Sequence, residues 1–478
     1  MRAVGIETEY GITATLATPA GERRLGPDEV GRRLFRPIAE DYAATNVFLR
    51  NGGRLYLDVG SHPEYATAEC TTLNDLLAQD RAGDSIVMTL MDRATDLALD
   101  EGERVSFRAF KNNVDQYGNS YGSHENYQIS RELDLPELAT ALSGFLVARQ
   151  LLCGTGRIVR DGHGWTYAVS QRADVLWEAL SSGSTRSRPL VNTRDEPHAD
   201  PERFRRLHVI SGDSTLAEPA TLVRVVSLEA VLRLAERGLA ARLARWAPAD
   251  TAAAVRVVSR DPRGRVRYDL AGGATATALE VLTDVLALAE TLDGGDPLWQ
   301  TGLDLWRRTV AALADDQPEL MATEVDWVAK RRLLTAYADR HGLALGDPRL
   351  ARLDLTYHEL GGQIQQSLSR AGQLDRITTD ESVAAAVTTP PATRAALRGR
   401  LVAAAGRHHR SYTVDWSTFT VKDLGGVTLS LPDPTISVDP AVERLVERMR
   451  TEPRQLAVAG STTPPAPARP TGPYGEFR

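Results

Sequence analysis

Cysteine is nearly missing from these 478 residues, with Cys70 and Cys153 the whole complement. Two thiols cannot build a disulfide framework or a four-cysteine zinc site. Neither lies in a CxxC pair, and both read as small buried apolar residues. No run of about 18 apolar residues occurs, so no segment has the length of a membrane-spanning helix. The chain runs straight into AVGIETEYGI, with no basic stretch ahead of an apolar core, and a cytoplasmic protein with no membrane partner is expected. Positive charge is in deficit. The 56 lysines and arginines against 63 acidic residues leave a formal charge of −7, which removes the global basic field that gathers nucleic acid. Lysine is scarcer still: Lys111, Lys330 and Lys422 are the only three, a bias that reads as genomic composition rather than site chemistry. Neither GxGxxG nor GxxxxGK[ST] is present, so any nucleotide must be held by other means.

What is there divides by periodicity. Over the first 130 residues apolar and polar residues alternate between turn signals, as in AVGIETEYGI, RLYLDVG and NYQIS, which predicts strands of an antiparallel sheet. VFLRNGG ends a further apolar run at Asn51-Gly52, a dipeptide suited to a tight hairpin turn. Helical spacing follows in LPELATALSGFLVARQLL, SLEAVLRLAERGLAARLARW, ALEVLTDVLALAETL, PLWQTGLDLWRRTVAALADD and TEVDWVAKRRLLTAYADRHG. Strands gathered early and helices late predict an α+β fold. Pro390-Pro391 marks a boundary before a short mixed segment with SYTVDWSTFTV. We expect a catalytic domain over 1–390, a small C-terminal domain over 391–450 and a disordered proline-rich tail over 451–478.

Chemistry concentrates on strand faces. In GIETEYG, Glu7 and Glu9 share one face, and two carboxylates that close repel unless a cation lies between them. In RLYLDVGSHPEYATAEC, Arg54, Tyr56 and Asp58 point opposite to Leu55 and Leu57, and Glu64 and Glu69 follow. So many inward carboxylates call for a hard divalent ion, which takes oxygen ligands and keeps sites for phosphate. His124 stands beside Glu125 and Asn126, and His208 inside an apolar strand; each alone is more often structural than a ligand. Arg194, Asp195, Glu196 and His198 crowd the loop NTRDEPHAD, rich in groups that bind phosphate or pair with one another.

GIETEYG, FLRNGGRLYLDVGSHPEYATAEC, FKNN, GNSYGSHENY, NTRDEPHAD, RRLHVI and TVDW, in this order, closely resemble the Pup ligase and Pup deamidase/depupylase family, from about Met1 to Arg450. The resemblance implies a glutamine synthetase-like fold: a curved antiparallel sheet cradling ATP and Mg²⁺, backed by helices, with a small C-terminal domain. It implies that ATP phosphorylates the C-terminal glutamate γ-carboxylate of Pup, a small disordered protein modifier. A target lysine then attacks the acyl phosphate, marking the target for the proteasome. Matched residue by residue, Glu7, Tyr56 and Glu64 fall on the family's magnesium positions, with Glu9 a further ligand. Arg54, Thr67 and Trp416 fall on ATP contacts, Asp58 on the catalytic aspartate, and His124, Arg194 and His208 on metal or phosphate. Glu64 and Thr67 have opposite strand parity, so the chain must bend after GSHP.

The sister depupylase keeps nearly the same site but hydrolyses the bond, and carries a long extra loop between the first strand and the aspartate strand. Asp58 follows Glu9 by only 49 positions, which leaves no room for it, and the ligase is the reading adopted. The depupylase, or a ligase-like paralogue acting on another carboxylate, is the alternative. NNVDQYGNSYGSHEN leans towards the depupylase, Pro219 replaces a usual hydroxyl residue, and YHELGGQIQQSLSR lacks the expected basic, aromatic character. A non-catalytic relative would not need the costly inward charges Glu7, Asp58 and Glu64.

Overall fold

The computed structural model describes residues 1–58, 60–115, 117–162, 164–182 and 188–455. The C-terminal tail from 456 therefore lies outside the described residues. Eight strands form the main sheet: β1 (Val4–Glu9), β2 (Asn46–Phe48), β3 (Arg54–Leu57), β4 (Pro63–Ala66), β5 (Ser123–Ser130), β6 (Glu178–Ser181), β7 (Pro189–Asn192) and β8 (Phe204–Val209). Their spatial order is β6-β7-β8-β5-β1-β4-β3-β2, and every neighbouring pair except β6 with β7 is antiparallel.

The α+β class is the observed one, with two departures from the expected layout. Strands are not confined to the first 130 residues, since β6, β7 and β8 extend the sheet from later in the chain. AVGIETEYGI is also two strands: the run breaks at Tyr10, and Gly11–Thr18 joins a separate three-stranded sheet with Gly21–Arg24 and Val105–Phe110. Alternation reports a strand but not which sheet it enters.

One face of the main sheet is core. Val4, Ile6, Tyr127, Ile129, Leu207 and Val209 pack with residues of α1 (Leu73–Asp100), α2 (Leu135–Ala148) and α3 (Glu218–Leu234) in one apolar cluster. Burying these side chains, at about 1.5–3 kcal/mol for each large one, fixes which face of every strand turns away from the helices. Pro219 sits in the first turn of α3, where its missing N–H costs no hydrogen bond. Gly238, at φ 83°, then interrupts the helical run of SLEAVLRLAERGLAARLARW before the short helix Ala240–Ala244.

The segment after Pro390-Pro391 opens with α4 (Arg394–Arg407), capped by the Thr393 side chain, which accepts from the Ala395 amide. With the strands Tyr412–Val414, Thr418–Val421 and Val427–Ser430 and the helix Pro440–Thr451, it encloses an apolar cluster of its own that takes in Phe48 from β2. The β2–β3 hairpin is where α4 docks. Gly52 takes φ 82° at its tip, as the Asn51-Gly52 pair predicts. The Asn51 side chain accepts from the Gly53 amide at 3.0 Å and donates to Ala386 O at 2.9 Å. A Cβ at Gly399 of α4 would stand 2.2 Å from Arg50 O, so only glycine permits this approach.

Candidate functional site

The register decides which side chains meet on the face turned away from the helices. Glu7 is paired with Ala66 on one side and His124 on the other, and Glu9 with Glu64. Tyr56 faces Glu64, Arg54 faces Ala66, and His208 faces Asn126. Partners across a ladder share a face, so Glu7, Glu9, Tyr56, Arg54, Glu64, His124 and His208 all project to one side. Parity of single strands was legible from the sequence. Their neighbourhood depends on β1 lying between β4 and β5, which local pattern does not reveal.

Three acids crowd this face, Glu9 and Glu64 buried and Glu7 half-buried. Glu9 is 8% and Glu64 5% exposed. Burial pushes the Glu64 carboxyl well above the usual range, and the charges of Glu7, Glu9 and, more weakly, Asp58 push the same way. Burial also acts to raise Glu7, but a hydrogen bond with His124 and the charges of His208, His124 and Arg206 outweigh it and hold Glu7 ionised. Glu7 is held by His124 Nδ1 at 3.1 Å and by the Asn126 side-chain amide, which donates at 3.0 Å; Arg206 lies at 3.7 Å and His208 Nε2 at 3.8 Å. His208 Nε2 is buried without a hydrogen-bond partner. Glu7, His124 and His208 bring ligand atoms within 4.8 Å of one another. Glu9 accepts from the Gly122 amide at 2.5 Å and meets His62 Nδ1 at 2.8 Å. Carboxylates facing one another across β1 and β4, with an unsatisfied imidazole beside them, form a donor set that suits a divalent cation.

Beside the acids, a cavity is bounded by Gly5, Glu7, Ala66, Thr67, His198 and Trp416. Trp416 comes from the turn between Tyr412–Val414 and Thr418–Val421 and is fixed edge-on to Phe48 at 4.9 Å, with the Arg398 guanidinium 4.9 Å from its ring. The Arg54 guanidinium lies 4.5 Å from the Tyr56 ring, and its Nε donates to Asn46.

Asp58 is exposed and is the first residue beyond β3 rather than the middle of a longer strand. Its amide donates to His62 O at 2.9 Å, closing the turn that leads into β4. The reversal thus falls between Asp58 and His62, before Pro63 opens β4, and not after GSHP as the spacing predicts. Thr67 follows β4 with the opposite parity, and its hydroxyl is occupied locally, accepting from the Ile6 amide at 3.0 Å and donating to Ala68 O. Arg194 is not brought into the cluster: half exposed, it lies 3.6 Å from Glu196.

Glu69 does not join the acids either, contrary to the expectation of an inward carboxylate calling for metal. It pairs with Arg394 at 2.5 Å and Arg398 at 2.6 Å, two buried arginines of α4. Glu125, next to His124, likewise faces the core and pairs with Arg149 at 2.8 Å and Arg224 at 2.9 Å. The sequence reading missed Arg206, Asn126 and His62. Alternation in FRRLHVI and SHENYQ places Arg206 with His208 and Asn126 with His124, and that was the available signal.

A mainly antiparallel sheet with helices on one face and a carboxylate-lined cavity on the other, bordered by Trp416 of a small C-terminal unit, defines the class: an α+β protein with an acidic site on an open sheet face. Within it, the family described as Pup-ligase protein matches residues 2–420. The chain belongs to that family. It is 46% identical to the Pup–protein ligases of Nakamurella multipartita and Mycolicibacterium vanbaalenii, over 94% of this chain and 99% of each relative. A crystal structure of the ligase PafA in complex with the prokaryotic ubiquitin-like protein Pup superposes with a TM-score of 0.86, at 40% identity over 94% of this chain and 93% of that one. PafA in complex with ADP superposes with a TM-score of 0.79, at 40% identity over 89% and 94%. Among the described residues, no helix is long and apolar enough to cross a membrane.

Proposed function

We propose that this chain is an ATP-dependent ligase that joins the C-terminal glutamate γ-carboxylate of Pup to lysine side chains of target proteins, a mark that leads to the proteasome. The observation that carries this reading is the convergence of Glu7, Glu9, Glu64, Tyr56 and Arg54 on one sheet face, with Asp58 at the end of the strand that bears Arg54 and Tyr56. Glu7, Glu9, Glu64 and the Tyr56 hydroxyl would hold Mg²⁺. Bound there, the ion supplies charge neutralisation for the phosphates.

The chain's own residues divide the remaining work. Arg54 is a fixed cation for phosphate oxygens, and Trp416 stacks on the base. Thr67 contributes shape, since its hydroxyl is engaged with the backbone. His124 and Arg206 keep Glu7 ionised and oriented, and His208 adds a neutral imidazole, burial lowering its pKa well below the usual value. Arg194, half exposed and 3.6 Å from Glu196, is given no part in this arrangement. The γ-phosphoryl group passes to the glutamate carboxylate, releasing ADP. The lysine nitrogen then attacks the acyl carbon, phosphate leaves, and Asp58, exposed just beyond β3, accepts the proton the amine must lose.

The test is to incubate the protein with ATP, Mg²⁺, Pup ending in Glu and a lysine-bearing protein, and in parallel with Pup ending in Gln or a pre-formed conjugate. Conjugate and ADP accumulating together in the first mixture is the expected result. Rapid deamidation or cleavage without ADP would install the depupylase instead.

A further inference from the structure

The floor of the cavity beside Glu7 is poor in side chains. Gly5 precedes Glu7 by two residues on the same face of β1, and Ala66 is Glu7's cross-strand partner on β4. A flat ring can lie on such a floor. Two rings rather than one line the same cavity, with the His198 imidazole centroid 6.1 Å from that of Trp416 and the planes inclined at 39°.

His198 is held there from both sides. Glu196, two residues before it, is tied to the sheet by Arg206, whose Nε donates to Glu196 O at 3.0 Å while its other nitrogen meets the carboxylate at 3.1 Å. Asp200, two residues after it, donates its amide to Pro432 O of the small unit at 2.9 Å, and Arg203 pairs with Asp433 at 3.3 Å. Between these anchors His198 takes φ 50°, a left-handed backbone that costs a side-chain-bearing residue about 1–2 kcal/mol. Glycine or asparagine would meet that backbone demand at lower cost, so the turn alone does not account for an imidazole. Burial, and then the charge of Arg206, lower its pKa, so near pH 7 the ring is neutral and can stack without adding charge beside the phosphate site.

We propose that His198 is a binding residue for the nucleotide base, forming with Trp416 a two-ring roof over the Gly5–Ala66 floor. The inference rests on the nucleotide use proposed above and adds to it a contact from the loop between β7 and β8.

The test uses the full chain with ATP and ADP as probes. His198→Ala and His198→Asn should each raise the KM for ATP and weaken ADP binding, read by calorimetry, about five-fold or more, with kcat at saturating ATP little changed. His198→Phe should recover most of the loss. The Asn variant decides between roles because it accepts the left-handed backbone but carries no stacking ring. Wild-type ATP dependence in His198→Asn would overturn the proposal and leave His198 a turn residue. A wild-type protein that binds no ADP would instead remove the nucleotide reading itself.

Discussion

Glu7 and His124 are direct cross-strand partners on β1 and β5, with 3.1 Å between Oε2 and Nδ1. That contact, with the charges of His208 and Arg206, keeps a half-buried carboxylate charged against the desolvation that would raise its pKa. Removing the charge should therefore be felt by a cation before it is felt by the fold. In Glu7→Gln, the Mg²⁺ concentration that gives half-maximal ADP binding should rise about ten-fold or more, while thermal stability changes little. Unaltered Mg²⁺ dependence would take Glu7 out of the metal site.

In the proposed reaction Asp58 acts in the second half. Asp58→Asn should abolish conjugate formation while ATP and Mg²⁺ binding stay near wild type, because the missing base is needed only when the amine loses its proton. Trapping the activated glutamate with hydroxylamine separates the two halves. Hydroxamate forming in the variant without protein conjugate is the expected outcome, and loss of both would move Asp58 to the phosphoryl-transfer step.

Trp416 should behave as a binding residue. Trp416→Ala should raise the KM for ATP about five- to hundred-fold, the range for one lost stacking contact of about 1–3 kcal/mol, with a smaller change in kcat. Normal ATP dependence would return the ring to a packing role against Phe48 and Arg398.

Glu69 should matter for stability rather than chemistry. Glu69→Ala leaves Arg394 and Arg398 buried without their counter-charge and should cost about 3–5 kcal/mol, seen as a lower midpoint in denaturant. Burial raises the Glu69 carboxyl, but Arg398 and Arg394 outweigh it and bring it down to about 2. A carboxyl whose pKa is lower folded than unfolded contributes stability that is full above the unfolded value of about 4.3 and is lost as pH falls towards 2. Acid titration of stability should therefore show a loss between about pH 4.5 and 2 that is absent from Glu69→Ala.

Much of the site was legible because strand parity is a local property. Glu7 with Glu9, and Arg54 with Tyr56, can be placed on common faces from spacing alone, and Asn51-Gly52 announces its hairpin. What could not be read is long-range pairing. Glu69 looks like another acid of the cluster until Arg394 and Arg398, more than three hundred positions later, are found against it. Thr67 looks like a free hydroxyl until the Ile6 amide is found to use it. The break at Tyr10 was hidden for the same reason: its neighbours Glu9 and Gly11 continue the alternation while the chain changes sheets.

The glycine contact at the β2–β3 hairpin has a mechanical consequence. Backbone meets backbone where Gly399 approaches Arg50, and Arg398 of the same helix donates to Gly52 O and to Trp416 O while pairing with Glu69. One helix turn thus grips the tip of the hairpin that bears Arg54 and Tyr56 and also the loop that carries the roof of the cavity. Loosening that grip would shift base and phosphate contacts together, so a bulky residue at 399 should damage nucleotide affinity from a position that touches no nucleotide.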